Sequence, residues 1–308
     1  MADSVADPVA DSVRVWTERA AAHHTRVDDF SAGHRERAAR GESHPVWDFL
    51  FTYYSLRPRQ LRIWHPGYGI VLTGPAARAY RRRGGYRTTP DGVTVSAEYL
   101  AARTPTVRFV ADLLRATAAR TPRFGCFGMH EWAMLYRADV YRAGSTRHSG
   151  VPLRLGAAGT DAVVESMPLR CSHFDAYRFF TAPAAGRNEQ RLTRERQPET
   201  EQPGCLHANM DLYKWAYKLG PLVASELVMD CLELAAAARV LDMQASPYDL
   251  TQYGFEPVAV EEPAGRADYV RRQTVLADRA APLRTALLAR CEQLLVAGAR
   301  RAAPSAGC

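Results

Sequence analysis

The sequence predicts a mostly α-helical protein, α+β by strict count, folded as a single helical domain with a small β-sheet. Three observations predict it. Apolar residues recur at helical spacing through most of the 308 residues, hairpin signals occur only within residues 61–95, and no convincing linker divides the chain. The apolar share of 47% suffices for one sizeable core.

Residues 9–40 alternate Val, Trp and Ala with charged residues up to Gly41, which predicts an amphipathic helix after an N-terminal tip. Residues 1–41 are therefore set apart from an α-rich domain at 42–300, with a disordered tail at 301–308. The aromatic-rich 44–58 predicts a buried helix opened by Pro45 and closed by Pro58. Residues 61–74 carry two apolar runs around Pro66, Gly67 and Gly69, and Asp91-Gly92 marks a second hairpin, so these segments supply the sheet. Helices follow at 104–120, with Thr104 as cap and Pro105 in the first turn, and at 129–143. Extended segments are expected at 151–169, then helices at 173–181, 210–219 and 221–244, and a final pair over 265–300 broken at Pro282. The polar run 186–204 is expected to be a long loop, of the kind that is often functional.

Six cysteines without a C-x-x-C pair argue against a disulfide framework or zinc ribbon. The opening residues have neither a basic start nor an apolar block, so no secretory signal is expected, and no segment approaches the roughly 18 apolar residues of a membrane span. A cytoplasmic location and no membrane partner are the expectation. The net charge of +7 permits a nucleic-acid or phosphate partner without requiring one.

Three short windows hold the candidate chemistry. They are CFGMHEW with Cys126, His130 and Glu131; CSHFDAYR with Cys171, His173, Asp175 and Arg178; and CLHANMDLYKW with Cys205, His207 and Asp211. Each opens at a predicted loop-to-helix boundary, where side chains from separate elements can converge. The third window also carries Lys214 and, one turn on, Lys218. These are the chain's only lysines, since 38 of the 40 basic residues are arginine (40 minus 2). With Asn209 as cap and Gly220 as stop, the helix between places Asp211, Lys214 or Trp215, and Lys218 on one face. A lysine amine can be deprotonated by burial or a neighbouring cation and an arginine cannot, so the pair is a candidate base, donor or phosphate grip. The plainer alternatives are dipole compensation by the lysines, capping by the histidines, and core packing by Trp132. Asp249, in the turn Ser246-Pro247-Tyr248-Asp249, is either a turn former or an inward-pointing acid.

A metal reading competes. His130, Glu131, His173, Asp175, His207 and Asp211 supply imidazoles and carboxylates from three elements, and Glu226, Asp230 and Glu233 share a face of the next helix. No E-x-x-H or H-x-x-x-H pair supports it, and the C-x-H pairs at 171/173 and 205/207 lack familiar zinc spacing. No metal or cofactor is assigned from the sequence.

HPVWDFLFTYYSLRPRQLRIWHPGYG, CFGMHEWAMLYR, RCSHFDAYRFFT, EQPGCLHANMDLYKWAYKLGP and LDMQASPYDLTQYG together resemble an actinobacterial family generally named 3-methyladenine DNA glycosylase. The likeness covers about residues 44–285. It implies a hydrolase with a role in DNA repair, releasing a damaged purine base from DNA or a related nucleoside. That chemistry needs a carboxylate against an oxocarbenium-like sugar and aromatic faces for the extruded base. Asp175 or Glu131 is the candidate for the charge-stabilising or water-activating group, with Asp211, Lys214 and Lys218 assisting. Trp132, Tyr213 and Trp215 are candidate platforms, Arg178 and Arg187 phosphate contacts, and His130, His173, His207 and Asp249 further substrate contacts. Two rivals stand beside it: a metal-dependent, non-haem iron oxygenase of a small molecule, and a non-catalytic nucleic-acid or ligand binder.

Overall fold

The computed structural model describes residues 9–11, 13–141 and 150–302. The expected tail at 301–308 falls largely outside them. Helix dominates, and the sheet is small, as the periodicities predict.

Strands β1 (Val9–Asp11), β2 (Ile70–Leu72), β3 (Tyr86–Thr89) and β4 (Gly92–Val95) form one sheet in the order β1-β2-β4-β3. The Asp91-Gly92 hairpin pairs Thr89 with Gly92, β2 runs antiparallel to β4, and β1 adds parallel to β2. Gly92 is required, because a Cβ there would lie 2.2 Å from the Leu72 carbonyl oxygen. The first apolar run, Leu61–Trp64, is not a strand. Trp64 is instead fully buried and stacks on Trp16, whose helix Val13–Ala39 is thereby fastened to the sheet.

The helical body is built around Leu206–Lys218, packed between Ser225–Gln244 and Pro263–Ala302, with Ala97–Ala118 along the last of these. Ten of its thirteen residues are buried, which makes it the core's centre rather than a surface stripe. Its start is earlier than expected: Cys205 is the N-cap, and Asn209 lies inside, bonded to the Pro203 carbonyl and to Arg284.

Other expectations are corrected by tertiary packing. The 97–118 helix begins at a Ser96 cap, not at Thr104, and runs through Pro105 because Leu100, Val107, Val110 and Leu114 all bury on one side. The final helix likewise continues through Pro282, with Ala280 and Leu287 fully buried on either side of it. Gly156–Ser166 is helical where extended chain was expected, and buries Thr160, Val163 and Val164 at helical spacing. Residues 44–58 hold the turn Phe49–Thr52, with Pro58 opening the short helix Pro58–Leu61 instead of closing one, while 129–143 divides into Met129–Ala133 and Ala138–Tyr141. The 186–204 segment is no free loop. Arg120 holds it by the carbonyls of Pro198 and Glu201, and it buries Leu192, Gln197, Glu201 and Gln202.

Candidate functional site, a buried polar centre

The three windows meet. The Leu206–Lys218 helix presents His207, Asp211 and Lys214 along one face, as i, i+4, i+7 spacing requires. Against them, Gly128 in the left-handed region (φ 69°) opens the Met129–Ala133 turn and turns His130 and Glu131 inward. His173 is the N-cap residue of Phe174–Tyr177, which carries Asp175. Two further elements complete the centre: Arg239 and Asp242 from Ser225–Gln244, and Arg194, Gln197 and Glu201 from the 186–204 segment.

One half joins Glu131, Arg239, Asp242, His130 and His207. The fully buried Arg239 guanidinium donates to Glu131 Oε1 (2.9 Å) and Asp242 Oδ2 (2.8 Å) and lies over the Phe49 ring. The other carboxylate oxygen, Asp242 Oδ1, is 2.8 Å from His130 Nε2. Neither atom makes an aligned hydrogen bond; the contact is a buried ion pair, in which burial works against a charged His130 but Asp242 raises the imidazole above its usual range. The His207 ring lies edge-on to His130 at 4.4 Å. Burial, then His130, holds His207 well below the usual imidazole range, so it is neutral. Burial opposes ionisation of Asp242, but His130 and Arg239 outweigh it and hold the carboxyl low.

The second half joins Glu201, His173, Asp211, Lys214, Asp175 and Arg194. His173 Nδ1 faces Glu201 Oε1 at 2.8 Å and Nε2 faces Asp211 Oδ2 at 3.4 Å, again without hydrogen-bond alignment. Burial would lower the imidazole, but Glu201 and Asp211 raise it to about 10. Lys214 donates to Asp211 and to Asp175 (2.8 Å), while Arg194 reaches Asp175 from the surface. Burial works against ionised Asp175, yet Arg194 and Lys214 bring it down to about 2. The Tyr54 hydroxyl sits 3.4 Å from Asp211 Oδ1.

The lysine pair is split by this geometry. Lys214 is pressed toward its cationic form by Asp211 and Asp175 despite burial, so it is a fixed ammonium and not a base. Lys218 is exposed, is lowered by partial burial and by Lys214, and flanks the Trp215 ring with it.

Other candidates stand apart. Trp132 is fully buried with its N–H on the Ala245 carbonyl, and Tyr213 is equally buried, so neither presents a stacking face. Arg178 is exposed at the rim, 3.5 Å from Asp175. Arg187 turns away to the carbonyls of Val164 and Glu165. Asp249 accepts from the Thr251 N–H and hydroxyl, the turn-former outcome. Sequence reasoning missed Arg194, Glu201, Arg239 and Asp242 as members of the centre. The available signals were the single basic residue of the Ser225–Gln244 helix and the polar run that proved to be strapped down.

A water-sized cavity of about 20 Å³ borders His130 and His207, walled by Cys126, Cys171, Cys205, Met129 and Leu169. It adjoins a vestibule of about 150 Å³ formed by Arg123, Gly125, Arg170, Ser172 and Gln202, sharing Cys126, Arg170, Ser172 and Gln202 with it. Burial keeps all three thiols protonated, Cys171 being pushed up to about 12.

Among the described residues two groups have metal-ligand composition, His130/His207/Asp242 and His173/Glu201/Asp211, each with donor atoms within 4.8 Å of one another. Among the described residues no helix is long and apolar enough to cross a membrane. Compared with protein-family models, curated proteins and solved structures, the chain has no match.

Proposed function

We propose that the protein is a metal-dependent enzyme of the non-haem iron type, acting on a small molecule, with its ion held by His130, His207 and Asp242. Two imidazoles and one carboxylate are the donor set of ferrous oxygenases, which leave coordination positions open. The observation that carries the reading is the contact between His130 Nε2 and Asp242 Oδ1. The two atoms, from different elements, face one another with His207 beside them, and Asp242, overcoming burial, holds the His130 imidazole above its usual range, so an ion exchanged for that proton would meet donors already in place.

The surrounding residues have the supporting roles such a site needs. Arg239 fixes Asp242 through its other oxygen, and Glu131 fixes Arg239, so the free oxygen has one orientation. His207, held neutral, keeps a lone pair for an ion. Met129, Leu169, Phe180 and Leu206, with Arg170, Ser172 and Gln202, leave an adjoining cavity of water size, which admits dioxygen or one end of a slender substrate. A bound ferrous ion would supply the open position for dioxygen, with the reducing electrons drawn from the organic substrate; the chain supplies orientation.

The N-glycosylase reading remains second. It is favoured by Asp175, an ionised carboxylate beside Lys214 suited to an oxocarbenium-like sugar. Against it, all three of its stacking platforms, Trp132, Tyr213 and Trp215, are buried core residues.

Anaerobic addition of Fe(II), desalting and elemental analysis test the choice. Iron is expected to remain bound, and His207→Ala and Asp242→Asn are each expected to lose the ion of this site. Base release from alkylated DNA that survives chelation and requires Asp175 would replace this reading with the glycosylase.

A further inference from the structure

We propose that the cavity between the sheet and the helical body is a separate ligand site, which binds a small organic carboxylate by its charged head and encloses an apolar body behind it. The inference is independent of the metal reading, since no residue of the buried polar centre lines this cavity.

The cavity has a volume of about 430 Å³, within the range that encloses small ligands. Arg82 and Arg83, in the turn that leads into β3, line it together with His65. Leu56, Ile63, Val223 and Val228 supply an apolar wall, and no Asp or Glu faces the space. Among the described residues neither arginine is paired with a carboxylate. Glu226, next to the lining Ser225, is already taken by Arg19 and by the Trp64 N–H. Arg83 Nε is buried without a hydrogen-bond partner, and the guanidinium lies 5.5 Å from the Tyr80 ring.

A guanidinium sealed from water along one edge and lacking a counter-charge carries a desolvation cost, which an arriving anion with two acceptor oxygens offsets. One half-buried guanidinium matches the single charge and planar fork of a carboxylate, and the exposed Arg82 adds a second positive charge at the mouth. His65 contributes a polar group beside them: its Nδ1 is 2.9 Å from the Tyr86 hydroxyl, and its Nε2 has no partner among the described residues. The remaining hydroxyls are committed, Tyr99 to the Gly220 carbonyl, Tyr217 to the Tyr54 carbonyl, and Ser225 to the His65 N–H. Beyond the charged end, the inner wall therefore offers rings and aliphatic chains. A sugar or nucleotide would leave its own hydroxyls unmatched there, whereas an aliphatic or aromatic body loses nothing.

The full-length protein is to be titrated calorimetrically, at one ionic strength, with decanoate, octyl phosphate, decanol and inorganic phosphate. Decanoate is expected to bind once per chain and the other three roughly 10-fold or more weaker, because each lacks either the carboxylate or the apolar body. Arg83→Gln is expected to weaken decanoate roughly 10-fold or more. Arg81→Gln removes the same charge from an exposed neighbour outside the cavity and is expected to change the affinity by less than about twofold, with circular dichroism confirming the fold of both variants. A further readout needs no change to the arginines: the His65 ring resonances, assigned by their loss in His65→Gln, are expected to shift as decanoate is added. No binding of decanoate, decanol binding as tightly as decanoate, or equal losses in Arg81→Gln and Arg83→Gln each overturns the site. So do His65 resonances that stay fixed while decanoate binds. Octyl phosphate binding more tightly than decanoate overturns the assignment to a carboxylate.

Discussion

Arg239 illustrates why the polar centre holds together. It is a charged residue in the middle of a helix otherwise buried by Leu, Ala and Met, and it neutralises Glu131 and Asp242 at once while its guanidinium lies over Phe49. Removing one partner from such a network leaves an uncompensated buried charge, which costs about 3–5 kcal/mol. Arg239→Met is therefore expected to destabilise by about that much in urea unfolding, and Arg239→Met with Glu131→Gln by less than the single change. A double variant as unstable as the sum of its parts would show that the two residues do not act as a unit. Lys214 teaches the same lesson: spacing alone pointed to a tunable amine, but two carboxylates in the folded state hold it cationic.

Helix boundaries were set by capping chemistry and packing together. Ser96 accepts the Tyr99 N–H at 3.0 Å, whereas the Thr104 hydroxyl turns back to the Leu100 carbonyl within the same helix. Ser96→Ala is accordingly expected to cost about 1 kcal/mol of stability, and Thr104→Ala less than about half of that. Equal losses in thermal unfolding would return the helix start to Thr104. The 186–204 segment is the other instructive element. Its charge and proline content spelled a loop, and it has little regular structure, yet Arg120 straps it down and Glu201 is carried to His173.

At the scale of the molecule, the small sheet is joined to the helical body through His65. Its backbone exchanges hydrogen bonds with Ser225, and its ring lies against Tyr86 of β3, with Nδ1 2.9 Å from the hydroxyl. Burial, helped by Arg83, lowers this imidazole from 6.5 to about 4. In the unfolded chain the same group takes up its proton near pH 6.5, so the unfolded state gains protons first as pH falls. The stability that neutral His65 contributes is thus complete above pH 6.5 and is lost as pH drops toward 4, a loss of about 2–3 kcal/mol. Thermal melts of His65→Gln are expected to show a flatter pH dependence than wild type across that window. Parallel curves would remove His65 as the titrating joint.

The sequence by itself determined the class of fold, the Asp91-Gly92 hairpin and the three windows that converge, because local periodicity, turn chemistry and the rarity of His, Cys and Lys are all written in short stretches of chain. Tertiary structure alone decided which charges face one another. Glu201 and Asp242 are 41 residues apart (242 minus 201), and each meets a histidine from another segment, His173 and His130. Such pairings depend on how helices pack, and no local pattern encodes the distance between side chains on different elements. The same packing carried helices through Pro105 and Pro282, where burial on both sides outweighed the missing backbone hydrogen bond.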